Sequence, residues 1–499
     1  MFESAELGHQ IDKEVYKTAL PALREALLQV QAELAESHAF PVVILIAGVD
    51  GAGKGEIGNL LNEWMDPRLI RTHAFGRPTE DERARPPMWR YWRALPPKGR
   101  IGIFYGSWYT EPIIRRAYGE IKKAELDNMV EEIVRFERML TDEGALLIKL
   151  WLHLSKDKQK KRMHDLQKNP KTRWRVTEID LRHLELYDKF HSLSGHILQE
   201  SNTANAPWVV IEGFDTNYRN LTAGQYILES IKKQLANHSP SRKAAPPMLR
   251  PIDQLNVLNT LDLRKSLAKT TYTRELEEYQ GRFNLLTRDP RFRDISLVIV
   301  FEGVDAAGKG GSIRRITQAV DARFYDVVQT AAPTDEEGAQ PYLWRFWRHI
   351  PGKGHMTIYD RSWYGRVLVE RVEGYCSEQD WMRAYAEIND LEAQLTAHDT
   401  LVVKCWLQIS REEQLKRFEA RQETAFKRFK ITEEDWRNRD KWEAYQTAAS
   451  DMIDRTSTAD APWTLIEAND KYHARIKVLK TLCEALEEKL NKTRRKEQD

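Results

Sequence analysis

The sequence predicts two consecutive α/β domains, each with a mainly parallel sheet flanked by helices. Three observations support this fold class. Apolar β-branched runs alternate with longer amphipathic stretches, which is typical of parallel strands joined by helices. A strand-like run followed by a glycine-rich turn, a lysine and a helical stretch occurs twice. Many tryptophan, proline and glycine residues then recur at one constant spacing, which indicates an internal duplication.

The domain boundaries follow from length and from one polar stretch. A chain of 499 residues exceeds one ordinary core, so more than one domain is expected. Residues 237–247 are polar, proline-rich and aperiodic, which favours a junction. We therefore expect an N-terminal domain over residues 1–235, a linker over 236–255 and a C-terminal domain over 256–499.

Composition excludes several classes of protein. The formal net charge is only +2, so anion binding must come from local clusters and no nucleic-acid partner is expected. Three widely separated cysteines argue against a disulfide framework or a zinc site and fit a reducing cytoplasm. The first residues do not resemble a signal peptide, and no apolar run approaches the roughly 20 residues that span a bilayer. A cytoplasmic protein without a membrane partner is expected.

The glycine-rich turn of the second copy has the pattern of a phosphate-binding P-loop. It contains Gly303, Asp305, Ala306, Ala307, Gly308, Lys309 and Gly310. Backbone N–H groups of such a turn and of the following helix favour anionic oxygens, and the lysine adds a positive charge. Gly310 stands where a serine or threonine usually binds Mg²⁺. Asp305 is the expected replacement, because hard cations prefer carboxylate oxygens.

The first copy contains the same turn at residues 48–55, which is 255 positions earlier. The same spacing relates Trp89 to Trp344, Trp108 to Trp363 and Trp208 to Trp463. Glycine follows the lysine in both copies, so it is the regular residue of this turn. Asp50 and Asp305 are the equivalent acidic residues.

A second acidic position distinguishes the copies. Asp360 ends a strand-like run over 356–360, which is the place of a Walker-B carboxylate that holds Mg²⁺ beside a P-loop. Arg361, Arg366 and Arg371 follow it and are predicted to bind phosphate groups. The alternative is a solvated basic helix face with salt bridges to nearby glutamates.

The equivalent positions of the first copy have lost this chemistry. Tyr105 replaces the aspartate, Gly106 replaces the first arginine and Glu111 replaces the second. A phenol is a poor ligand for a hard cation, and Glu111 would repel phosphate. We expect an inactive N-terminal copy, with weak activity through Asp50 as the alternative.

Two further basic stretches of the second copy are candidates for anion binding. Lys427 and Arg428 follow a strand and helix, where P-loop kinases often have a lid, although a solvated helix face is equally compatible. Arg345 and Arg348 alternate with aromatic residues and could line an anion path or stack on a base. Aromatic residues with this spacing are also typical of a core.

The ordered set of motifs resembles the polyphosphate kinase 2 family. The shared stretches are the P-loop at 303–310, Trp344-Arg345 through His349-Ile350-Pro351-Gly352-Lys353-Gly354, Tyr359-Asp360-Arg361-Ser362-Trp363-Tyr364, and Glu370-Arg371-Val372-Glu373-Gly374. The resemblance covers nearly all of both copies. It implies a thymidylate-kinase-like P-loop fold with a lid and Mg²⁺-dependent transfer of the terminal phosphoryl group of inorganic polyphosphate to AMP, forming ADP.

The motifs and this resemblance together indicate which residues form the site. Asp305, Lys309, Asp360 and Arg361 are the expected catalytic residues, with Asp305 and Asp360 as metal ligands. The expected phosphate- and nucleotide-binding residues are Gly303, Ala306, Ala307, Gly308, Gly310, Arg345, Arg348, Arg366, Arg371, Lys427 and Arg428.

Alternatives remain open at this point. ADP could be the acceptor, with ATP formed or consumed. An ATP-dependent P-loop kinase of a small metabolite and a non-catalytic anion-binding scaffold belong to other functional classes. The duplication is also compatible with a homo-oligomer, because two similar units can pack face to face.

Overall fold

The computed structural model describes residues 2–237, 256–423, 431 and 433–496, with side chains described up to residue 492. Most of the expected linker, residues 238–255, lies outside the described residues. Lys427 and Arg428 also lie outside them.

Each copy forms a parallel sheet, as the sequence predicts. The strands of the first copy are Val42–Gly48 (β1), Ile70–Ala74 (β2), Ile101–Tyr105 (β3), Leu146–His153 (β4) and Trp208–Glu212 (β5). Those of the second copy are Ser296–Gly303 (β6), Tyr325–Gln329 (β7), Met356–Asp360 (β8), Thr400–Gln408 (β9) and Trp463–Glu467 (β10). The strand orders are β2-β3-β1-β4-β5 and β7-β8-β6-β9-β10, so the two topologies are the same.

Helices connect the strands in both copies. The first copy contains Lys13–Ser37 (α1), Lys54–Trp64 (α2), Glu80–Arg83 (α3), Trp89–Ala94 (α4), Thr110–Ala117 (α5), Lys123–Asp142 (α6), Lys156–Lys168 (α7), Glu178–Glu185 (α8), Tyr187–Glu200 (α9) and Thr216–Ala236 (α10). The second contains Lys269–Thr287 (α11), Lys309–Thr317 (α12), Asp335–Gly338 (α13), Trp344–Trp347 (α14), Val369–Glu373 (α15), Glu378–Ala397 (α16), Arg411–Glu423 (α17), Glu433–Asp440 (α18), Trp442–Thr456 (α19) and Lys471–Lys496 (α20).

Each copy has its own hydrophobic core. In the first, β1 and β4 pack with Leu27 and Leu34 of α1 and with Ile227 of α10. In the second, β6 and β9 pack with Phe283 of α11 and Leu482 of α20. The central strands are buried on both faces, which explains why they were recognisable as continuous apolar runs.

The chain divides into two compact units. The first comprises the described residues within Met1–Pro78, Arg90–Pro240 and Pro333–Arg345. The second comprises those within Thr79–Trp89, Ser241–Ala332 and Phe346–Asp499. Both glycine-rich turns lie within the unit that carries their own sheet. Among the described residues, no helix combines the length and the apolar character needed to cross a membrane.

Candidate functional site

The P-loop of the second unit lies where the central strand β6 ends. Gly303 has a φ of +144°, and a Cβ there would lie 2.4 Å from the carbonyl oxygen of Leu407 on β9, so only glycine fits. Gly308 has a φ of +111° and immediately precedes α12. Arg417 of α17 donates to the carbonyl oxygens of Ala306 at 2.9 Å and Ala307 at 3.1 Å. The loop is therefore held from two sides.

Asp305 is the most heavily contacted side chain of this loop. Its Oδ1 accepts a hydrogen bond from Nη2 of Arg361 at 2.7 Å, and its Oδ2 accepts one from Asn438 at 2.9 Å. Burial raises the pKa of Asp305, but the charges of Arg361 and Lys309 outweigh it and hold that pKa below its ordinary value. The carboxylate is therefore ionised at neutral pH.

Lys309 begins α12 and is surrounded by charges of both signs. Its Nζ donates to the carbonyl oxygen of Gly303 at 2.9 Å. Burial and the nearby charge of Arg361 lower its pKa, while Asp305, Asp360 and Glu302 act in the opposite direction. The structure thus brings the predicted residues Asp305, Lys309 and Arg361 together, with Asp360 close enough to influence the amine.

Asp360 is the last residue of β8 and aligns with Phe301 of the neighbouring strand β6. Asp305 follows the end of β6 by two residues, so both carboxylates lie at the same edge of the sheet. Two carboxylates beside a phosphate-binding loop supply the oxygen ligands that Mg²⁺ prefers. The donor set therefore fits this ion.

Glu302 belongs to the same site but was missed from the sequence. It is buried, and its Oε1 accepts hydrogen bonds from the backbone N–H of Ser362 at 2.8 Å and from its hydroxyl at 2.9 Å. Burial raises its pKa to about 7, although Lys309 and Ser362 partly oppose this. An acidic residue inside an apolar strand was the available signal, and the first copy has Ala47 there.

The other two arginines after Asp360 have protein partners. Nε of Arg366 lies 2.8 Å from Oε2 of Glu370. These two residues form the salt bridge that the alternative interpretation anticipated. Arg371 donates to Tyr385 at 2.9 Å and to Asp451 at 2.7 Å. Their phosphate-binding role stays a prediction.

The remaining predicted residues differ in location. Gly310 is the second residue of α12 and has open space where a side chain would be. Arg345 is grouped with the first unit, and its Nη2 lies 3.3 Å from Oε2 of Glu337. Arg348 is in the second unit and is exposed. The neighbouring Trp347 is buried, as expected for a core residue.

A small cavity of about 70 Å³ adjoins the P-loop of the second unit. Its lining includes Asn438 of α18 and Tyr445 of α19, neither of which was predicted. Tyr445 donates to Asn438 Oδ1 at 3.0 Å, and Asn438 in turn donates to Asp305. These residues follow Asp305 by more than a hundred positions, so no local sequence pattern indicated them.

Beside the glycine-rich turn of the first unit, the aspartate has different hydrogen-bond partners. Asp50 pairs with Nζ of Lys54 at 2.9 Å and with Nδ1 of His183 at 2.8 Å. Tyr105 donates to the carbonyl oxygen of Lys54 at 3.3 Å. A Cβ at Gly58 would lie 1.6 Å from the Tyr105 hydroxyl, so Gly58 provides the space that the tyrosine needs. The equivalent residue in the second copy is Ile313.

The Ser-Trp-Tyr motif has a structural role in both units. Trp363 and Tyr364 donate to Oε1 of Glu392 at 3.1 and 2.6 Å, and Lys404 donates to Oε2 at 2.7 Å. In the first unit Trp108, Tyr109 and Lys149 contact Glu137 at 3.0, 2.7 and 2.7 Å. This buried network is retained in the first unit, where Tyr105 replaces Asp360, so it supports the fold.

Comparisons with known proteins match nearly the full length of the chain. The family model described as Polyphosphate kinase 2 (PPK2) matches residues 10–239 and again residues 266–494. A Pseudomonas aeruginosa protein named polyphosphate:AMP phosphotransferase is 54% identical over 98% of this chain and 99% of its own. One of the same name from Acinetobacter johnsonii is 38% identical over 90% and 92%. A solved structure from Pseudomonas aeruginosa, assigned to polyphosphate kinase 2, superposes with a TM-score of 0.90 at 52% identity, covering 99% of this chain and all of the other.

Proposed function

Because the chain belongs to the polyphosphate kinase 2 family, we propose that it transfers the terminal phosphoryl group of inorganic polyphosphate to AMP and forms ADP. One observation carries this proposal. The second unit has Lys309 and Arg361 beside the carboxylates of Asp305 and Asp360, at the carboxyl ends of the neighbouring strands β6 and β8. Relatives of nearly equal length that bear this activity in their names support the same substrates.

Phosphoryl transfer depends on positioning and on charge neutralisation more than on a covalent nucleophile. Lys309 and Arg361 would stabilise negative charge on the group in transit, while backbone N–H groups of residues 306–310 bind the oxygens of the donor. Asn438 and Arg361 hold the Asp305 carboxylate in one orientation. The protein need not supply a nucleophile, because a phosphate oxygen of AMP attacks the terminal phosphorus and the shortened polyphosphate leaves.

Mg²⁺ fits the donor set, and Asp305 and Asp360 would hold it. When bound, the ion supplies positive charge that offsets the phosphate oxygens. The protein residues keep three tasks: they orient the acceptor phosphate, bind the polyanion and exclude water from the transferred group. Polyphosphate is a polyanion, so exposed cations such as Arg348 are suited to contact its length.

The first unit does not contribute to turnover in this proposal. Tyr105 takes the place of the second carboxylate, and its hydroxyl is already bound to the backbone of α2. Asp50 is hydrogen-bonded to Lys54 and His183, whereas Asp305 is held by Arg361 and Asn438. We infer that one catalytic site per chain operates in the cytoplasm.

The activity is tested by incubating the protein with polyphosphate, Mg²⁺ and AMP, and by following ADP with chromatography. ADP must form in proportion to the polyphosphate consumed. Parallel incubations replace AMP by ADP, or polyphosphate by ATP. ATP formation from ADP without any reaction of AMP would refute the proposed acceptor, and a reaction that proceeds only with ATP would refute the proposed donor.

A further inference from the structure

The first unit contains a cavity much larger than its counterpart. Its volume is about 290 Å³, whereas the equivalent cavity of the second unit measures about 70 Å³. Both lie at the carboxyl ends of the central strands, beside the glycine-rich turn. The unit that has lost the metal carboxylate has therefore gained space in the same place.

Two substitutions explain the additional space. Gly106 stands where the second unit has Arg361, whose guanidinium lies against Asp305. Ala47 stands where the second unit has the buried Glu302. Both changes remove a long charged side chain from the lining. The cavity of the first unit therefore has a larger volume and lacks counterparts of the Arg361 guanidinium and the Glu302 carboxyl group.

The charges that remain in this cavity neutralise one another. Asp50 accepts from Lys54 at 2.9 Å, and Lys54 also donates to the carbonyl oxygens of Gly48 at 2.7 Å and Val49 at 3.2 Å. Burial raises the pKa of Asp50, but Lys54 and His183 overcome this and hold it well below its ordinary value. The lysine is thus occupied by protein oxygens, and a phosphate group would have to compete with Asp50 for it.

Aromatic rings form much of the remaining wall. Phe2, Trp151, Tyr187 and Phe190 line the cavity. Phe2 stacks on His153 with ring centroids 4.5 Å apart and an interplanar angle of 2°. In the second unit the non-aromatic Gln408 stands at the position of His153, and the more polar Tyr445 stands at the position of Phe190. Flat apolar walls with a few polar groups at one end are suited to a planar ring system.

We propose that this cavity binds an uncharged, planar heteroaromatic molecule of nucleoside size. Ring nitrogens and hydroxyl groups of the ligand would exchange hydrogen bonds with Asp50 and His183, and the ring would pack against Trp151 and Phe190. The cavity volume is near the lower end of the range for ligand sites, roughly 300–1,000 Å³, which favours one base or nucleoside. A phosphorylated ligand is disfavoured, because Lys54 is already paired and Arg361 has no counterpart.

Adenosine is the probe, and the full-length protein is used. Hydrogen–deuterium exchange is measured with saturating AMP present, with and without adenosine. We expect adenosine to slow exchange in β4 and α9 of the first unit, but not in β9 and α19, the equivalent elements of the second. This experiment separates the two units, so its outcome does not depend on whether the proposed phosphotransferase activity is found.

Filling the cavity provides the second test. Ser194 is buried on α9 and lines the cavity, so S194F introduces a ring into it, while S194A leaves the space open. Calorimetric titration should show adenosine affinity at least about tenfold weaker for S194F and nearly unchanged for S194A. T110F fills the same cavity from α5 and should weaken adenosine binding to a similar extent. It replaces S194F in this test if S194F does not fold.

The proposal is overturned by any of three results. These are adenosine protection confined to the second unit, no measurable adenosine binding by the wild-type chain, or adenosine affinity equal in wild type and in a folded cavity-filling variant. Binding of AMP to the first unit as tightly as adenosine would refute the proposed discrimination against phosphate.

Discussion

Arg361 donates from Nη2 to Oδ1 of Asp305 at 2.7 Å, and this pair distinguishes the two glycine-rich turns. In the first unit the equivalent aspartate, Asp50, accepts instead from the P-loop lysine itself. The partner of the aspartate therefore changes from a lysine within the loop to an arginine on the neighbouring strand end. Because Asp305 is paired with Arg361, Lys309 donates to the Gly303 carbonyl oxygen instead. Arg361 is then a second cation close to Lys309.

R361G should remove activity while leaving the fold intact. Arg361 has a φ of +63°, and Gly106 at the equivalent position has +61°, so glycine adopts this backbone without strain. An arginine that stabilises charge in phosphoryl transfer contributes on the order of 10³-fold in turnover. Steady-state rates of ADP formation measure the loss, and thermal unfolding measures the fold. A variant that retained most of its turnover would exclude a catalytic role for the guanidinium.

D360N should reduce turnover at least about 100-fold, because a metal ion contributes several kcal/mol to such reactions. The expected thermal unfolding temperature is close to that of the wild type. The matched control is Y105F at the equivalent position of the first unit, which should leave the rate of ADP formation unchanged. Near-normal turnover of D360N would contradict the metal-binding role.

Restoring the carboxylate in the first unit should not restore activity. The double variant Y105D/D360N should be as inactive as D360N, because the arginine is still absent. The assay is ADP formation with excess enzyme. A rate well above that of D360N would show that the first unit needs only its carboxylate.

Glu302 makes stability depend on pH. Its folded-state pKa of about 7 lies above the ordinary value of 4.5, chiefly because of burial, so the folded protein favours the protonated form. The stability of the wild type relative to E302Q should be greatest below pH 4.5 and decrease as the pH rises to about 7. Urea unfolding of both proteins across this range measures the difference. A difference that stays constant with pH would show that Glu302 does not titrate there.

Removing the buried lysine should destabilise either unit. K404M leaves the Glu392 carboxylate buried without its cation, and breaking such a pair typically costs about 3–5 kcal/mol. K149M is the equivalent change in the first unit and should have a similar cost. K480M, at a half-exposed position of α20, serves as the control and should change stability by less than about 0.5 kcal/mol. Denaturant unfolding followed by circular dichroism compares the three.

Local backbone patterns allowed much of the site to be predicted. The P-loop and Asp360 were recognised because a strand, a tight turn and a helix follow one another within a few residues. The edge strands β2 and β7 were not predicted, since residues such as Val327 remain exposed and no continuous apolar run marks them. An edge strand has one neighbour and needs less burial.

Partners distant in sequence explain the other differences. Asn438 reaches Asp305 only because α18 folds back over the P-loop, and Arg371 meets Asp451 across 80 residues. The Ser-Trp-Tyr stretch contributed to the family resemblance, but the sequence did not indicate what its side chains contact. Its actual contact is Glu392, and only the fold reveals that this carboxylate lies beneath it.

The self-contained pairing of Asp50, Lys54 and His183 also has a thermodynamic consequence. In the first unit the loop lysine, Lys54, is bound to the Asp50 carboxylate, whereas in the second unit Lys309 donates to the Gly303 carbonyl and Arg361 lies close to it. A ligand that binds only the folded state stabilises it by an amount that grows with the logarithm of its concentration above Kd. Polyphosphate bound beside Lys309 and Arg361 should therefore stabilise the second unit, and it should stabilise the first unit less, because a phosphate there has to compete with Asp50 for Lys54.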